Sequence, residues 1–452
     1  MKKILAKIDS FFKISERGST ITKELIGGLI VFLAMVYILP VNSGMLSITG
    51  LSYGSVFLAT AVSAGIATLI MGLVANYPIA LASGMGLNAL MTFTVCLQMG
   101  YSYQECLCLV FVSGLIFVLI SVTGIRKRII SAIPKDLKYA IGAGIGGFIS
   151  LVGLSNAGII VSGSTILTLG APSAAFFLAI GGIALVFIFH SIKCLNKFAV
   201  ILAILVTTVI GLILNACGVA GMPSMNTSME LGTDGVFAFA KGFGVFARPE
   251  AYAVLFTFLF VDFFDTAGSL VAVGTTAGLV DVETGELKGD GKAFLADAIG
   301  TVAGAALGTS TVTSFIESST GAESGARTGL SAVVVAILFF LSLLLFPIFS
   351  VFANCSATTS MALVYVGALM FSNLGKIDWA DKTAGIAACV TVFGMVFCYS
   401  ISDGLALGFI VYVIMKLVSG KGKEVNVIMY ILSALFVINF AIKFLMSSGI
   451  IH

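Results

Sequence analysis

The sequence predicts an all-α polytopic membrane protein of about 14 spans, built as two halves that enter the bilayer from opposite sides. Three observations carry this. Of 452 residues, 59% are hydrophobic and 10% charged, where a soluble domain carries about 25% charged. Apolar runs of roughly 20 residues recur along the whole chain, each long enough to cross a bilayer as a helix. A polar, glycine-rich stretch from Pro223 to Pro249 then interrupts the pattern at mid-chain, after an odd number of spans.

In chain order, the lead-in MKKILAKIDSFF is basic and apolar, without the long apolar core and small-residue cleavage site of a signal peptide. Residues 1–23 are expected to form a mature cytoplasmic segment with an interfacial helix. Lys2, Lys3, Lys7, Lys13, Arg17 and Lys23 precede the first span, and Arg126, Lys127, Arg128, Lys135 and Lys138 follow the fourth. The loop at 46–53 and the segment 156–171 carry no basic residue. By the positive-inside rule the N-terminus is cytoplasmic.

Spans are predicted at 24–46, 53–77, 79–95, 103–124, 131–155, 172–192 and 198–217. After the break come 250–273, 291–307, 309–322, 326–350, 357–373, 381–400, 404–418 and 424–447. The total is 14 or 15, depending on whether 381–418 is one broken span or a pair around Ser400–Gly404. The first span starts near Glu24 and its counterpart near Glu250, half the chain further on. Seven spans before the break make the second half an inverted repeat of the first.

The third span of each half is defective. NYPIALASGMGLNALMTF is interrupted by Pro78, Gly84 and Gly86; GTSTVTSFIESSTG, 308–321, carries too many hydroxyl and β-branched residues for a lipid-facing helix. Each reads as a short extended piece followed by a half-helix. Such backbone is tolerated at membrane depth only where protein encloses it, and paired interruptions mark a transporter's binding site.

The polar residues inside spans are few. Asp262 and Asp265 lie three apart in FLFVDFFDTAGSLVAVG, so they share one helix face with Thr266 and Ser269. Glu317 sits in SFIESST, and Asn88 opens the half-helix after GMGL, where it serves either as an N-cap or as a ligand contact. Three carboxylates near one midplane cannot all ionise cheaply. A group of that kind can load a proton on one side of the membrane and release it on the other. No Lys or Arg lies within these spans, so the site suits a neutral, donor-rich ligand plus a cation. Phe258, Phe263 and Phe264 read as packing, with a stacking role open.

Other candidates are read as structural. Asp297 and Glu323 lie near span ends, Asp403 at a helix break, and Arg327 marks a cytoplasmic boundary. The glycines of GAGIGG, 142–147, follow no strand and suit close helix packing. The eight cysteines show no metal or disulfide spacing, and His190 and His452 have no partners suggesting a metal site or catalytic base. An intramembrane aspartyl protease needs its two aspartates on different helices; here they share one. A passive channel is the other rival; it needs a continuous polar pathway, and concentrative uptake that collapses with a protonophore would exclude it.

Four motifs, GMGLNA (84–89), TGIRKRIISAIPKDLKYAIGAGIGGFISLVGL (123–154), FVDFFDTAGSLVAVGTTAGL (260–279) and ALGTSTVTSFIESSTGAESGARTGL (306–330), together resemble the AzgA-like purine permeases of the nucleobase–ascorbate transporter superfamily. The likeness runs in order over essentially the whole chain. It implies 14 spans as two inverted seven-span repeats, the first four of each forming a core domain (24–124 and 250–350) and the last three a gate domain (131–217 and 357–447), with 218–249 joining them.

The resemblance also implies a cell-membrane transporter, not an enzyme, that imports hypoxanthine, guanine, adenine or xanthine with protons by moving core against gate. It needs no cofactor or metal beyond H⁺ and no nucleic-acid partner; monomer and homodimer both stay open, as do another nucleobase and Na⁺ as coupling ion. Its substrate positions carry over to Asn88, Asp262 and Glu317, with Asp262 or Asp265 serving proton coupling or support. The segment SVFANCSATTSMAL, 350–363, departs from the family's usual stretch ending in APAL.

Overall fold

The computed structural model describes residues 2–123, 132–163, 166–220, 222, 229–280, 287, 289–351 and 356–447. Arg126, Lys127, Arg128 and His452 lie outside them, as do 223–228 of the mid-chain break and 352–355 of the departing segment. Among the described residues, nine helical segments are long and apolar enough to cross a membrane.

The lead-in forms α1 (Lys2–Phe12). Thr20 then N-caps α2 (Ile21–Met35), accepting the Lys23 N–H. The first apolar run is bent after Val36 into α3 (Ile38–Leu46), where Pro40 sits in the first turn and forfeits no helical bond. Ser52 caps α4 (Tyr53–Ile70), which widens into a π turn before Asn76 ends it at φ 55°.

The third run is broken as expected: β1 (Leu81–Ser83), then α5 (Met85–Ala89) and a wide turn of helix to Gln98. It is followed by α6 (Tyr103–Thr123) and α7 (Lys135–Asn156). The uncharged segment expected as loop contains a hairpin, β2 (Ile160–Ser162) with β3 (Leu167–Leu169). The half closes with α8 (Ala174–Ser191) and α9 (Ala199–Ala216).

After two 3-10 turns within 238–247, the second half runs through α10 (Glu250–Thr276), α11 (Asp290–Leu307), β4 (Val312–Ser314), α12 (Ser318–Glu323) and α13 (Gly329–Ser342). Then come α14 (Ser356–Phe371), α15 (Lys382–Phe397), α16 (Ile401–Val418) and α17 (Val427–Ser447). The open question around 381–418 is answered by two helices. Tyr399 at φ 54° turns the chain, and Ser400 caps α16 by accepting the Asp403 N–H.

Two helix groups result. The helices α4, α6, α11 and α13 pack chiefly on one another, with α2 and α10 against them. The helices α7, α8, α9, α14, α15 and α16 pack among themselves. The GAGIGG glycines serve the second group, since a Cβ on Gly146 would overlap the Gly367 carbonyl of α14.

At the centre of the first group the strands meet. β1 pairs antiparallel with β4, with Leu81 opposite Ser314, Ala82 opposite Thr313 and Ser83 opposite Val312. The strands are three residues each and fully buried, so their polar backbone must be paired. The Gly84 N–H donates to Thr311 O, the Phe315 N–H to Ala80 O, and the Ala80 N–H to Ser318 Oγ, each at 3.0 Å. Two short helices, α5 and α12, leave this crossing.

Candidate functional site

The crossing strand β4 and the helices α10 and α11 gather three aspartates. Thr313 of β4 donates to Asp265 Oδ2 (3.2 Å), and Ser314 to Asp297 Oδ1 (2.9 Å). Thr301 of α11 touches Asp262 Oδ2 at 2.8 Å and also meets the Val312 backbone, with its carbonyl at 3.1 Å and its N–H at 3.2 Å. Thr266 completes the set by donating to Asp297 Oδ2 (2.7 Å). Thus each residue of a three-residue strand is tied, directly or through Thr301, to a different carboxylate.

The predicted stripe on α10 is therefore real in its spacing: Asp262, Asp265 and Thr266 all turn to the same neighbours. Asp297 was expected near a span end with a structural role. Instead it lies two turns inside α11, fully buried beside the other two. Its two hydroxyl donors come from α10 and β4. The signal available in the sequence was the row of small residues around it, ADAIGTVAGAA, which lets neighbouring backbone approach.

Glu317 precedes α12, and Tyr37 donates to its Oε1 at 2.7 Å from the bend between α2 and α3. Tyr37 is 1% exposed, whereas Glu317 and Asp265 keep some exposure. An aromatic in an apolar run gives no sequence signal of this role. Asn88 lies inside α5 and is not its N-cap; Gly84 occupies that place, and the Asn88 N–H donates to the Gly84 carbonyl. Its Oδ1 accepts from Ser83 Oγ at 2.7 Å, while its Nδ2 is buried with no partner among the described residues. Asp262 Oδ1 is orphaned in the same way. Buried polar atoms without partners are rare and mark sites completed by something else.

The aromatics divide. Phe258 and Phe263 are buried packing residues, Phe263 against Phe117 and Phe294. Phe264 is partly exposed, and Lys138 of α7 stands 5.6 Å from its ring centroid. A cation from the second helix group therefore faces the Phe264 ring, although none lies within the spans carrying the acids. Among the described residues no cluster of three or more His, Cys, Asp or Glu has the arrangement of a metal site.

The remaining readings resolve simply. Glu323 ends α12 on the surface, 4.0 Å from Lys197. The Arg327 side chain donates to the Ala322 and Ala326 carbonyls where the chain turns into α13. Glu24, expected only to mark a span start, is fully buried and accepts the Arg327 (2.8 Å) and Thr328 (3.3 Å) N–H groups. His190 meets the Tyr365 hydroxyl at 3.0 Å.

The chain is similar to known proteins over nearly its whole length. A guanine/hypoxanthine permease of Bacillus subtilis, PbuG, is 43% identical over 95% of this chain and 99% of its own length. A putative permease of Methanocaldococcus jannaschii is 42% identical, covering 97% and 99%. The adenine permease AdeP of Escherichia coli is 37% identical, covering 95% of each. Among solved structures, the transmembrane domain of a cyanobacterial bicarbonate transporter, BicA, superposes with a TM-score of 0.61 at 15% identity, over 86% of this chain and 97% of that one. SLC26A9 gives 0.63 at 11%, over 92% and 69%. At these identities the structural likeness speaks for the fold alone. Residues 22–407 match the Xan_ur_permease model, described as Permease family. The chain is thus an integral membrane transport protein, not an enzyme, and belongs to the Permease family.

Proposed function

We propose that the protein imports purine nucleobases, hypoxanthine and guanine first and adenine as the alternative, by proton symport. The observation that carries this reading is the crossing of β1 and β4. It is followed by α5, which carries Asn88, and by α12, which Glu317 precedes, beside the helix that carries Asp262 and Asp265; Asn88 Nδ2 and Asp262 Oδ1 are left there as an unpaired donor and an unpaired acceptor. A purine offers ring N–H groups and acceptors on one small planar edge. With Tyr37 on Oε1, Glu317 keeps Oε2 to accept an N–H of the base, and Asn88 Nδ2 supplies a donor. The relatives named for guanine/hypoxanthine and adenine support the substrate class.

Asp262 carries the coupling proton in this account, with Asp265 and Asp297 tied to the same strand beside it. Ionised, it accepts the Thr301 O–H. Protonated, it donates to Thr301, whose hydroxyl then turns to the Val312 carbonyl 3.1 Å away. Loading the proton thereby changes the bonding of the strand that Glu317 follows. One proton moved through about 100 mV supplies about 2.3 kcal/mol, enough for roughly 50-fold accumulation of a neutral base.

The architecture proposed is 14 spans as two inverted repeats, in the cell membrane, with residues 1–23 cytoplasmic. Core (24–124 and 250–350) and gate (131–217 and 357–447) correspond to the two helix groups, and the core slides against the gate. The antiparallel pairing of one strand from each half supports the inversion. The test is uptake of labelled hypoxanthine into cells lacking purine permeases, with unlabelled guanine, adenine or uracil as competitors, with and without Na⁺ or a protonophore. Competition by guanine but not uracil, and collapse by the protonophore, are expected. Competition by uracil alone would move the substrate class, and a strict Na⁺ requirement would replace the proton.

A further inference from the structure

Five polar side chains, Asn42, Thr60, Ser83, Asn88 and Thr309, are completely buried and connected in one line. They come from α3, α4, β1, α5 and the segment entering β4. Asn42 Nδ2 donates to Thr60 Oγ1 at 2.7 Å and to Thr309 Oγ1 at 2.9 Å. Thr309 Oγ1 lies 3.0 Å from Ser83 Oγ, and Ser83 Oγ donates to Asn88 Oδ1 at 2.7 Å.

The direction of every proton follows from the donor inventory. Thr60 spends its only O–H on the Val56 carbonyl at 2.7 Å, so toward Asn42 it can only accept. That turns the Asn42 amide with both N–H groups toward hydroxyls, and leaves Asn42 Oδ1 without a partner among the described residues. Thr309 Oγ1 accepts from Asn42 and has only Ser83 besides among the described residues, so its O–H goes to Ser83; Ser83 then has its own O–H for Asn88, which must turn Oδ1 toward it. A backbone carbonyl in α4 thus sets the orientation of an amide in α5 through four intervening side chains.

We propose that this relay fixes Asn88 as a donor only, so that the base it meets presents an acceptor to it, a ring nitrogen or an exocyclic carbonyl. Asn42, Thr60, Thr309 and Ser83 are then positioning residues for substrate discrimination. The proposal rests on the reading that Asn88 contacts a purine. A freely turning amide would accept as readily as donate, and would tolerate the loss of an acceptor from the base. A locked one leaves a buried N–H unpaired whenever the acceptor is missing, and discrimination by such a site is steep.

The experiment measures binding of labelled hypoxanthine to the purified full-length protein in detergent. The competitors are analogues each weakened at one acceptor: 3-deazahypoxanthine, 7-deazahypoxanthine and 6-mercaptopurine, whose thiocarbonyl is a poor acceptor but which keeps the N1–H. In the wild type one analogue is expected to bind at least about 5-fold more weakly than hypoxanthine, in line with one unpaired buried donor. In Ser83→Ala and in Thr309→Val that gap shrinks to about twofold or less, because the amide is released. In Thr309→Ser, which keeps the hydroxyl, the gap persists. The comparison is a ratio within each variant, so a general loss of fold or affinity does not imitate it. An unchanged gap in Ser83→Ala and Thr309→Val, or no gap for any analogue in the wild type, overturns the relay. A wild-type protein that binds no purine overturns the proposed function itself, and is told apart by that first measurement.

Discussion

Replacing Asp297 separates its structural part from its charge. It accepts hydroxyls from Thr266 at 2.7 Å and Ser314 at 2.9 Å, all three residues being buried. Asp297→Ala strands both donors, and each unsatisfied buried group costs about 1–3 kcal/mol. The loss expected is therefore about 2–6 kcal/mol, a large part of the roughly 5–15 kcal/mol that holds a typical domain folded. Asp297→Asn keeps one acceptor oxygen, and a hydroxyl facing the new NH₂ can rotate to accept from it; its expected cost is about 1 kcal/mol. Thermal unfolding of both purified variants in detergent is the assay, read beside hypoxanthine uptake at matched membrane levels. Asp297→Asn should stay folded and lose concentrative uptake, because the buried set of three carboxylates has lost a titratable member. If Asp297→Ala melts with the wild type, the bonds to Thr266 and Ser314 are not holding β4 to its helices. If Asp297→Asn accumulates substrate normally, its charge plays no part in coupling.

Three further outcomes are expected. Glu24→Ala removes the acceptor for two backbone N–H groups at the start of α13, and should lower unfolding free energy by about 2–3 kcal/mol, with Glu24→Gln recovering part of it; equal melting temperatures would contradict this. Tyr37→Phe deletes the hydrogen bond to Glu317 and should raise the KM for hypoxanthine roughly tenfold with little change in melting; an unchanged KM would show that Tyr37 does not set the carboxylate. Asp381 N-caps α15 by accepting the Thr383 N–H at 2.9 Å, and the Thr383 hydrogen bonds hold its carboxyl at about 2, with Lys416 at 3.6 Å. Because that value is below the ordinary carboxylate value of about 4, the cap's contribution is present above that value and lost as pH falls from about 4 toward 2. Asp381→Ala should cost about 1 kcal/mol at neutral pH and nothing in strong acid, as melts across that range would show.

Much of this was legible in the sequence because membranes make polar residues conspicuous. Asp262, Asp265 and Glu317 stood out as charges in apolar runs. The broken third spans stood out because glycine, proline and hydroxyl residues cannot make a good lipid-facing helix, and their matching places in two halves pointed to one site. Asp297 was harder to place, because its helix begins at Asp290 and a residue two turns inside reads as close to its end. Tyr37 and the Asn42 relay were invisible for another reason. Hydrogen-bond partners in α3, α4, β1 and the entry to β4 are separated by up to 267 residues, and only the strand crossing brings them together. Glu24 was hidden in plain view, since an acid in a first helical turn is ordinary and its real partners lie some 300 residues away.

The central claim is that Glu317 holds a purine whose entry is driven by protons, and one measurement addresses both parts. Purified wild type and Glu317→Gln are reconstituted into liposomes at equal density and offered labelled hypoxanthine under an inward proton gradient. The account predicts accumulation above equilibrium by the wild type, collapse on adding a protonophore, and neither binding nor accumulation by a correctly folded Glu317→Gln. Accumulation by Glu317→Gln equal to the wild type, or wild-type uptake that ignores the gradient, would contradict it.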